Sequence, residues 1–308
     1  KKINLFYEKK NKYFNFLNFE ENKRNMMYIF QNNNLKNVLI KEIKKVKNIK
    51  LINKSVEDIG HNKTYIKLKN KKIYYDLIIL CLGRKSYLYN SIITDRSIKK
   101  DYKETSITCV VRHNLKINGT SQFFLKEGPL AILPFKKFYF SIVWSLDRDF
   151  YLKNINNIRS LLVEKLKFIF KKKLKIKISK INQFPIHLNL SNQYYKKNTL
   201  ILGEGIHSIH PLAGQGFNLI LRDIKKIKNL IKKNMQLGLA LKGSNILKEF
   251  YNSRNPENTL LALGVDLTNA FFKKNKYLEP TKFFLLKNIE NFGSIKKISK
   301  YVSNKGFF

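Results

Sequence analysis

The chain has 308 residues, of which 44% are hydrophobic, so it can bury the core of one large domain or two ordinary ones. A formal net charge of +40 at pH 7 would suit a polyanionic partner, and anionic lipid is favoured over nucleic acid. However, Lys, Asn, Ile and Phe are enriched together, which favours a mutational bias of the genome as the source of the lysines on exposed faces. The two cysteines, Cys81 and Cys109, lie far apart inside apolar runs and argue against a disulfide framework, and the longest apolar run is too short to span a bilayer.

The first third of the chain alternates helical and extended patterns. Apolar residues recur at helical spacing in "NLKNVLIKEIKKVKN", which predicts a helix, and "IKLIN" and "SVEDI" are predicted strands. "TYIKLKNKKIYYDLIILCLG" predicts an antiparallel strand, a turn at Asn70 and then an apolar strand of the kind buried on both faces in a parallel sheet. The apolar stripe of the helix consists of Leu35, Val38, Leu39, Ile43 and Val46.

From about residue 104 the pattern changes to short strands separated by turn signals. "ETSITCVVRH", "TSQFFLKEG", "LAILPF" and "FYFSIVWSL" predict a mostly antiparallel sheet. A helix over about 155 to 172 and a strand at "FPIHLNL" follow. The predicted buried stripe of this helix is Ile155, Ile158, Leu161, Leu162, Leu166 and Ile169.

Near residue 199 the chain returns to an α/β pattern. "TLILG" predicts a short buried strand, and "FNLILRDIKKIKNLIKK" predicts a helix. The remainder is predicted to be helical, with Ser244 as the N-cap of "SNILKEFYNSRNPENTLLALGVDLTNAFF" and an amphipathic end at "TKFFLLKNIENFGSIKKISKYVSNKGFF".

The loop "GEGIHSIHPLAGQG" between that strand and helix has four glycines and two histidines. Backbone N–H groups at a helix N-terminus can bind a negatively charged ligand, and glycines permit its close approach. The carboxylate of Glu204 can accept hydrogen bonds from a polyol or ribose. Glu204, His207 and His210 could be drawn as a metal site, but Pro211 interrupts a common helical face, so the histidines are predicted to brace the loop and no metal is predicted.

The string "LILGEGIHSIHPLAGQGFNLILRD" resembles the second FAD-binding signature of the flavin-dependent aromatic hydroxylases with the p-hydroxybenzoate hydroxylase fold. It is most similar to the version found in the ubiquinone-biosynthesis monooxygenases. "SITCVVRH", "FFLKEGPLAILPF", "SIVWSL" and "LKEFYNSRNPEN" are similar to further strings of that subfamily. The resemblance implies cofactor-binding roles for Gly83, Gly203, Glu204, Pro211, Ala213, Gly214, Gln215, Gly216 and Asn218, and substrate-binding roles for Arg112, Pro134 and Trp144.

The implied fold is α/β, with an FAD-binding Rossmann-like domain interleaved with a mostly antiparallel β-sheet substrate domain and a helical C-terminus. The implied boundaries are 1–24 for the first substrate-domain strands, 25–98 and 191–235 for the FAD-binding domain, 99–190 for the substrate sheet and 236–308 for the helical region. The N-terminal βαβ unit of the family, with its G-x-G-x-x-G motif, has no counterpart, and Lys1 is expected to lie downstream of it.

The resemblance implies an FAD-dependent monooxygenase. NAD(P)H reduces FAD, O₂ is captured as a flavin C4a-hydroperoxide, and the aromatic ring of a polyprenylated phenol is hydroxylated in ubiquinone biosynthesis. No catalytic base is assigned. The expected location is cytoplasmic or peripheral on the inner membrane, with subunits of a ubiquinone-biosynthesis complex as partners and no specific nucleic acid.

Several alternatives stay open. Leu82 stands where the family has Asp, and Glu204 replaces Asp, with Gly205 and Ile206 in place of an alanine pair; these changes suggest altered or weakened flavin binding. Leu82, Glu204 and the lack of a counterpart to the N-terminal unit favour a non-catalytic, lipid-binding or scaffold subunit. Arg112 is equally an ion-pair partner on its strand, and Trp144 is more often a core residue than a pocket wall. The C-terminal stretch either docks on an anionic membrane or packs on its own domain; its apolar residues are Phe283, Phe284, Leu285, Leu286 and Ile289.

Overall fold

A computed structural model describes residues 2–20, 27–69, 71–83, 86–93, 97–170, 174–243, 245–273, 275 and 277–289, with the side chain of Ala213 left out. The predicted turn at Asn70, the predicted N-cap Ser244 and the predicted amphipathic end beyond residue 289 lie outside these residues. The strands are β1 Lys2–Lys9, β2 Lys12–Glu20, β3 Asp58–Gly60, β4 Tyr65–Leu68, β5 Lys71–Tyr74, β6 Ile78–Leu80, β7 Ile98–His113, β8 Thr120–Leu125, β9 Gly128–Lys136, β10 Tyr139–Asp147, β11 Ile176–Ile178, β12 Asn182–Leu190, β13 Tyr195–Lys196, β14 Thr199–Ile201 and β15 His207–Ser208. The α-helices are α1 Asn32–Lys44, α2 Arg148–Lys153, α3 Ile158–Phe170, α4 Gln215–Gln236, α5 Ile246–Phe272 and α6 Glu279–Asn288.

Contacts within the chain define two compact units. The first contains the described residues up to 50, those from 103 to 186 and those from 269 onward. The second contains residues 51–102 and 187–268. The domain boundaries expected from the sequence stay a prediction.

The first unit is built on a sheet with strand order β7-β10-β9-β8-β1-β2, and β11 pairs with β7. These pairs are antiparallel except β1 with β8, which is parallel, so the predicted mostly antiparallel sheet is confirmed. Side chains alternate between the two faces of each strand. One face packs against α3 and forms a buried core that includes Ile107, Val111, Ile142, Trp144, Leu162 and Leu166.

The second unit contains a short sheet in which β14 lies between β13 and β6. β14 is antiparallel to β13 and parallel to β6, and all three of its residues are buried. The predicted parallel strand is therefore confirmed in β6, although Ile79 at its centre is exposed. Residues of α4 and α5 complete the core of this unit, among them Ile227, Ile246, Leu247 and Phe250. The strands β3, β4 and β5 form a separate antiparallel sheet.

Three sequence predictions differ from the structure. "IKLIN" forms no strand, because Leu51 and Ile52 are exposed and the first strand of this region begins at Asp58. The helix predicted around Leu35 is present as α1, but it contains no buried residue. The helix predicted from 155 begins at Ile158, since the preceding residues form a short 3-10 helix. Among the described helices, none combines the length and apolar character that a bilayer crossing requires.

Candidate functional site

The loops that follow β6 and β14 lie side by side at the carboxyl edge of the parallel pair. The register aligns Leu80 with Ile201, and the Leu202 amide donates to the carbonyl of Leu80 at 2.9 Å, so the alignment continues one residue beyond the strands. In open α/β sheets, ligands bind outside the carboxyl ends of parallel strands. Gly83 and the turn Gly203–Gly205 lie just beyond this edge.

Glycines leave open space just beyond this edge, at Gly83, and around the start of α4, at Gly214 and Gly216. A Cβ added to Gly83, Gly214 or Gly216 would meet no atom within 4 Å. Gly214 also has φ 64°, in the left-handed region, and it immediately precedes α4. Gly205 is different, because a Cβ there would lie 2.5 Å from Ile201 Cγ2 and 2.7 Å from Tyr89 Cζ. The open glycines form a cradle that larger side chains would fill.

The N-terminus of α4 begins at this cradle. Gln215 is its first residue, and in the described part of the chain no side chain caps the helix there. Asn218 Nδ2 donates to Gln215 Oε1 at 3.3 Å, which holds the two amide side chains together on the first turn. Unsatisfied N–H groups and the positive end of the helix dipole favour an anionic or electron-rich ligand group.

The histidine-rich part of the loop is braced from within. His210 is fully buried, and its Nδ1 accepts the Leu212 N–H at 3.1 Å across Pro211. Its ring meets Tyr102 edge-on, with centroids 5.2 Å apart. The bracing role predicted for His210 through a backbone partner is confirmed.

His207 is braced by a carboxylate instead of the backbone. Its Nε2 lies 2.6 Å from Asp223 Oδ2, and both side chains are buried. The other oxygen of Asp223 accepts hydrogen bonds from Arg254 Nε at 2.6 Å and Asn258 Nδ2 at 3.3 Å. A buried charge needs this degree of compensation.

A buried polar cluster joins the loop to α4 and α5. It consists of Asp223, His207, Arg254, Asn258 and Tyr194. Arg254 Nη2 donates to Asn258 Oδ1 at 2.8 Å, and Asn258 Nδ2 donates to the Tyr194 hydroxyl at 3.3 Å. Burial raises the pKa of Tyr194 to about 12. Arg254 also pairs with Glu257. Through His207 and Asp223, the cluster attaches the loop to α4. Among the described residues, no group of His, Cys, Asp and Glu side chains is placed to hold a metal ion.

The remaining predicted cofactor residues lie around the same cradle, with different exposure. Glu204 is exposed on the turn after β14, and Gly203 there has φ 78°. Leu82 turns its side chain toward the core of the second unit. Gly83, the 203–205 turn and the start of α4 all belong to the second unit, and the turn contacts α4.

The three predicted substrate residues lie on two different faces of the sheet in the first unit. Trp144 pairs with Ile107 and is buried in the core beside α3. Arg112 lies on β7 five residues beyond Ile107, where it pairs with Tyr139 of β10. Because five is an odd number, its side chain lies on the face opposite to that of Ile107, and it is exposed. Pro134 is half-buried and pairs with Phe140, another core residue. The structure does not bring Arg112 and Trp144 together.

Sequence reasoning assigned no role to Tyr89, which lies between the two loops. Its hydroxyl accepts the Leu82 N–H at 2.8 Å and donates to the Leu82 carbonyl at 2.5 Å. Tyr89 is buried, and burial raises the pKa of its hydroxyl, whereas the hydrogen bond with the backbone of Leu82 lowers that pKa. The only sequence signal for this contact is Gly205, whose lack of a side chain makes room for the ring.

The fold of this chain is similar to that of known monooxygenases. The structure of p-nitrophenol 4-monooxygenase PnpA from Pseudomonas putida is similar over 99% of this chain and 81% of that chain, with a TM-score of 0.74 at 13% identity. A family described as squalene epoxidase matches residues 148–293. The fold is the one seen in this FAD-dependent class of monooxygenase structures, so the predicted fold class is confirmed.

The more particular resemblance is to ubiquinone-biosynthesis monooxygenases. The mitochondrial ubiquinone biosynthesis monooxygenase COQ6 of Dictyostelium discoideum is 24% identical over 89% of this chain and 67% of that protein. The 3-demethoxyubiquinol 3-hydroxylase of Escherichia coli is 31% identical over 54% of this chain and 42% of that protein. The chain thus spans between about two fifths and two thirds of these relatives, and the resemblance predicted from the motifs is confirmed.

Proposed function

We propose that the protein is an FAD- and NAD(P)H-dependent monooxygenase that hydroxylates the ring of a polyprenylated phenol in ubiquinone biosynthesis. The observation that carries the proposal is the glycine cradle at the start of α4, in a chain whose relatives are named ubiquinone hydroxylases and monooxygenases. Those names do not favour the alternative of a non-catalytic scaffold subunit. When bound, FAD supplies the activation of O₂ after its reduction by NAD(P)H.

The residues of the cradle fit this cofactor. Open space at Gly83, Gly214 and Gly216 admits a flat ring system close to the backbone. The N–H groups between Ala213 and Gly216 lie at the positive end of α4, where they would stabilise negative charge on the cofactor. Glu204 is exposed beside the cradle and offers its carboxylate to hydroxyl groups of the cofactor.

Of the substrate residues, Arg112 is the one proposed to contact substrate. It lies on the sheet face opposite α3, together with half-buried small side chains such as Thr108 and Val143. Trp144 and Pro134 support this sheet from the other side, where Trp144 packs in the core. A face with small side chains leaves room for an aromatic ring and an apolar tail.

A peripheral contact with an anionic membrane is part of the proposal. In α6, Phe283 packs 5.6 Å from the ring of Phe14, and Leu286 is buried, so half of the helix packs on its own unit. Tyr277 and Phe284 are 91% and 67% exposed. These exposed rings, in a chain of net charge +40, suit the boundary between lipid headgroups and acyl chains.

Binding to anionic vesicles should weaken in Phe284→Ser and stay unchanged in the control Leu152→Ser, an exposed position on α2. Equal binding by Phe284→Ser and the unchanged protein would contradict the contact.

The cradle is tested with a pair of matched substitutions. Gly216→Val places a branched side chain in the open space, whereas Gly264→Val does the same within α5, at a position that is also open. FAD binding, measured by quenching of flavin fluorescence, should be lost only in Gly216→Val, with the thermal midpoint unchanged. The protein with FAD should oxidise NAD(P)H and yield a hydroxylated product when given O₂ and a polyprenylated phenol. Absence of flavin binding and of substrate-dependent oxidation would refute the proposal.

A further inference from the structure

Tyr89 contacts both loops that follow the parallel strands β6 and β14. Its hydroxyl bridges the N–H and the carbonyl of Leu82 at 2.8 and 2.5 Å. Its ring lies against Gly205, where a Cβ would approach Cζ to 2.7 Å and Cε2 to 2.9 Å. One buried side chain therefore sets the position of the loop at Leu82 relative to the turn at Gly205.

A phenol is suited to this task because its oxygen donates one hydrogen bond and accepts others. Both backbone groups of Leu82 lie beyond the end of β6, where the ladder to β14 no longer continues through them. Tyr89 satisfies both groups, and Leu82 has no side-chain acceptor of its own to hold the loop. Gly83, the next residue, opens onto free space.

The segment that carries Tyr89 is itself anchored. Tyr89 lies in the 3-10 helix Tyr87–Ser91, and the Ser86 side chain accepts from the Leu88 N–H at the start of this helix. The Ser86 N–H donates to the Gly83 carbonyl at 3.0 Å. The hydroxyl of Tyr89 thus ties this anchored 3-10 helix to the backbone of Leu82.

We infer that Tyr89 is a positioning residue for flavin binding, and that its hydroxyl holds Leu82 so that the backbone at Gly83 stays open to the cofactor. The inference rests on the proposed function. A larger residue at position 205 would displace the ring, as well as the side chain of Ile201. Tyr89 acts through the loop and is not itself placed against the cofactor.

The test removes the hydroxyl and keeps the ring. Tyr89→Phe is compared with Tyr87→Phe, which removes a hydroxyl from the same 3-10 helix whose partner is the Val56 carbonyl at 2.9 Å, away from the loop. Gly205→Ala is a second variant, which shifts the ring and keeps the hydroxyl. The readouts are hydrogen exchange of the Leu82 amide without flavin, the Kd for FAD, the visible spectrum of bound flavin and the thermal midpoint.

Tyr89→Phe and Gly205→Ala should speed exchange of the Leu82 amide at least about tenfold and raise the Kd for FAD about tenfold, which corresponds to ~1.4 kcal/mol. The spectrum of flavin still bound should shift, which a general loss of stability would not cause. Tyr87→Phe should leave exchange, Kd and spectrum unchanged.

Unchanged exchange at Leu82 in Tyr89→Phe would overturn the role of the hydroxyl in the loop. Faster exchange with an unchanged Kd and spectrum would overturn the link to flavin binding, as would equal effects of Tyr89→Phe and Tyr87→Phe. Failure of the unsubstituted protein to bind FAD would overturn the proposed function and the link to flavin together, while exchange at Leu82 would still decide whether Tyr89 holds the loop.

Discussion

Replacing Asp223 with Asn should strongly destabilise the second unit. The Asp223 carboxylate is fully buried and lies within 2.6 Å of both His207 and Arg254. Asn is nearly the same size but neutral, and its NH₂ group would point a donor toward one of these nitrogens. Arg254, which is also buried, would keep its positive charge with Glu257 as a partly exposed counterion.

Breaking a buried charge pair by removing one partner typically costs ~3–5 kcal/mol, because the remaining charge loses its buried counterion. The expected loss for Asp223→Asn lies in this range, a large fraction of the ~5–15 kcal/mol that separates folded from unfolded domains. A control is Asp266→Asn, which removes the partner of Lys100 at 2.8 Å. The Lys100 side chain is 48% exposed, so the expected cost is ~1 kcal/mol or less.

The assay is urea unfolding followed by two signals. Far-UV circular dichroism reports the helices, including α4 and α5 that carry the cluster. Fluorescence of Trp144, the only tryptophan of the sequence, reports the first unit. Asp223→Asn should lower the midpoint of the dichroism transition more than Asp266→Asn does. If the two variants unfold within 1 kcal/mol of each other, the reasoning from buried charge compensation is refuted.

Three further predictions concern single groups. Gly128→Ala should cost ~2–4 kcal/mol by Trp144 fluorescence, because Gly128 has φ 129° and a Cβ would lie 1.9 Å from the Ser145 carbonyl oxygen; an unchanged midpoint would contradict the steric argument. In the native protein at pH 8, iodoacetamide should modify Cys81 and spare Cys109, because Cys81 is exposed whereas Cys109 is buried. Burial raises the pKa of both thiols, that of Cys109 to about 11, and mass spectrometry showing two modified thiols would refute this prediction. Because burial raises the pKa of Tyr194 from 10.0 to about 12, its contribution to stability is complete below pH 10 and should be lost as the pH rises from 10 to 12. Tyr194→Phe should reduce this loss in alkaline unfolding curves, and an equal loss in the variant would contradict it.

The sheet of the first unit could be predicted because its signal is local. Alternating apolar residues in β7 and β10, with turn residues between strands, specify both the strands and their buried face. The same reasoning was misleading in α1. Its apolar stripe has the correct helical spacing, but spacing alone does not reveal whether another element covers the stripe, and none of its residues is buried.

The candidate site was predictable where a contiguous motif carries it. The glycines from Gly203 to Gly216 are close in sequence, so their spacing pointed to a ligand loop before any contact was known. The contacts of Asp223 with Arg254 and Asn258 join residues more than 30 positions apart, and a contact between α4 and α5 leaves no local pattern in the sequence. Which face each substrate residue occupies depends on strand register, and that register placed Arg112 and Trp144 on opposite sides.

The parallel pairing of β6 with β14 has a consequence for biosynthesis. It aligns Ile78 with Thr199, which are 121 positions apart in the chain (199 − 78). At translation rates of about 5–20 residues per second, β6 leaves the ribosome roughly 6–24 s before its partner. During that interval the apolar strand has no neighbour on the β14 side, so the nascent chain is most exposed to aggregation or to chaperone capture between the synthesis of Leu80 and that of Ile201.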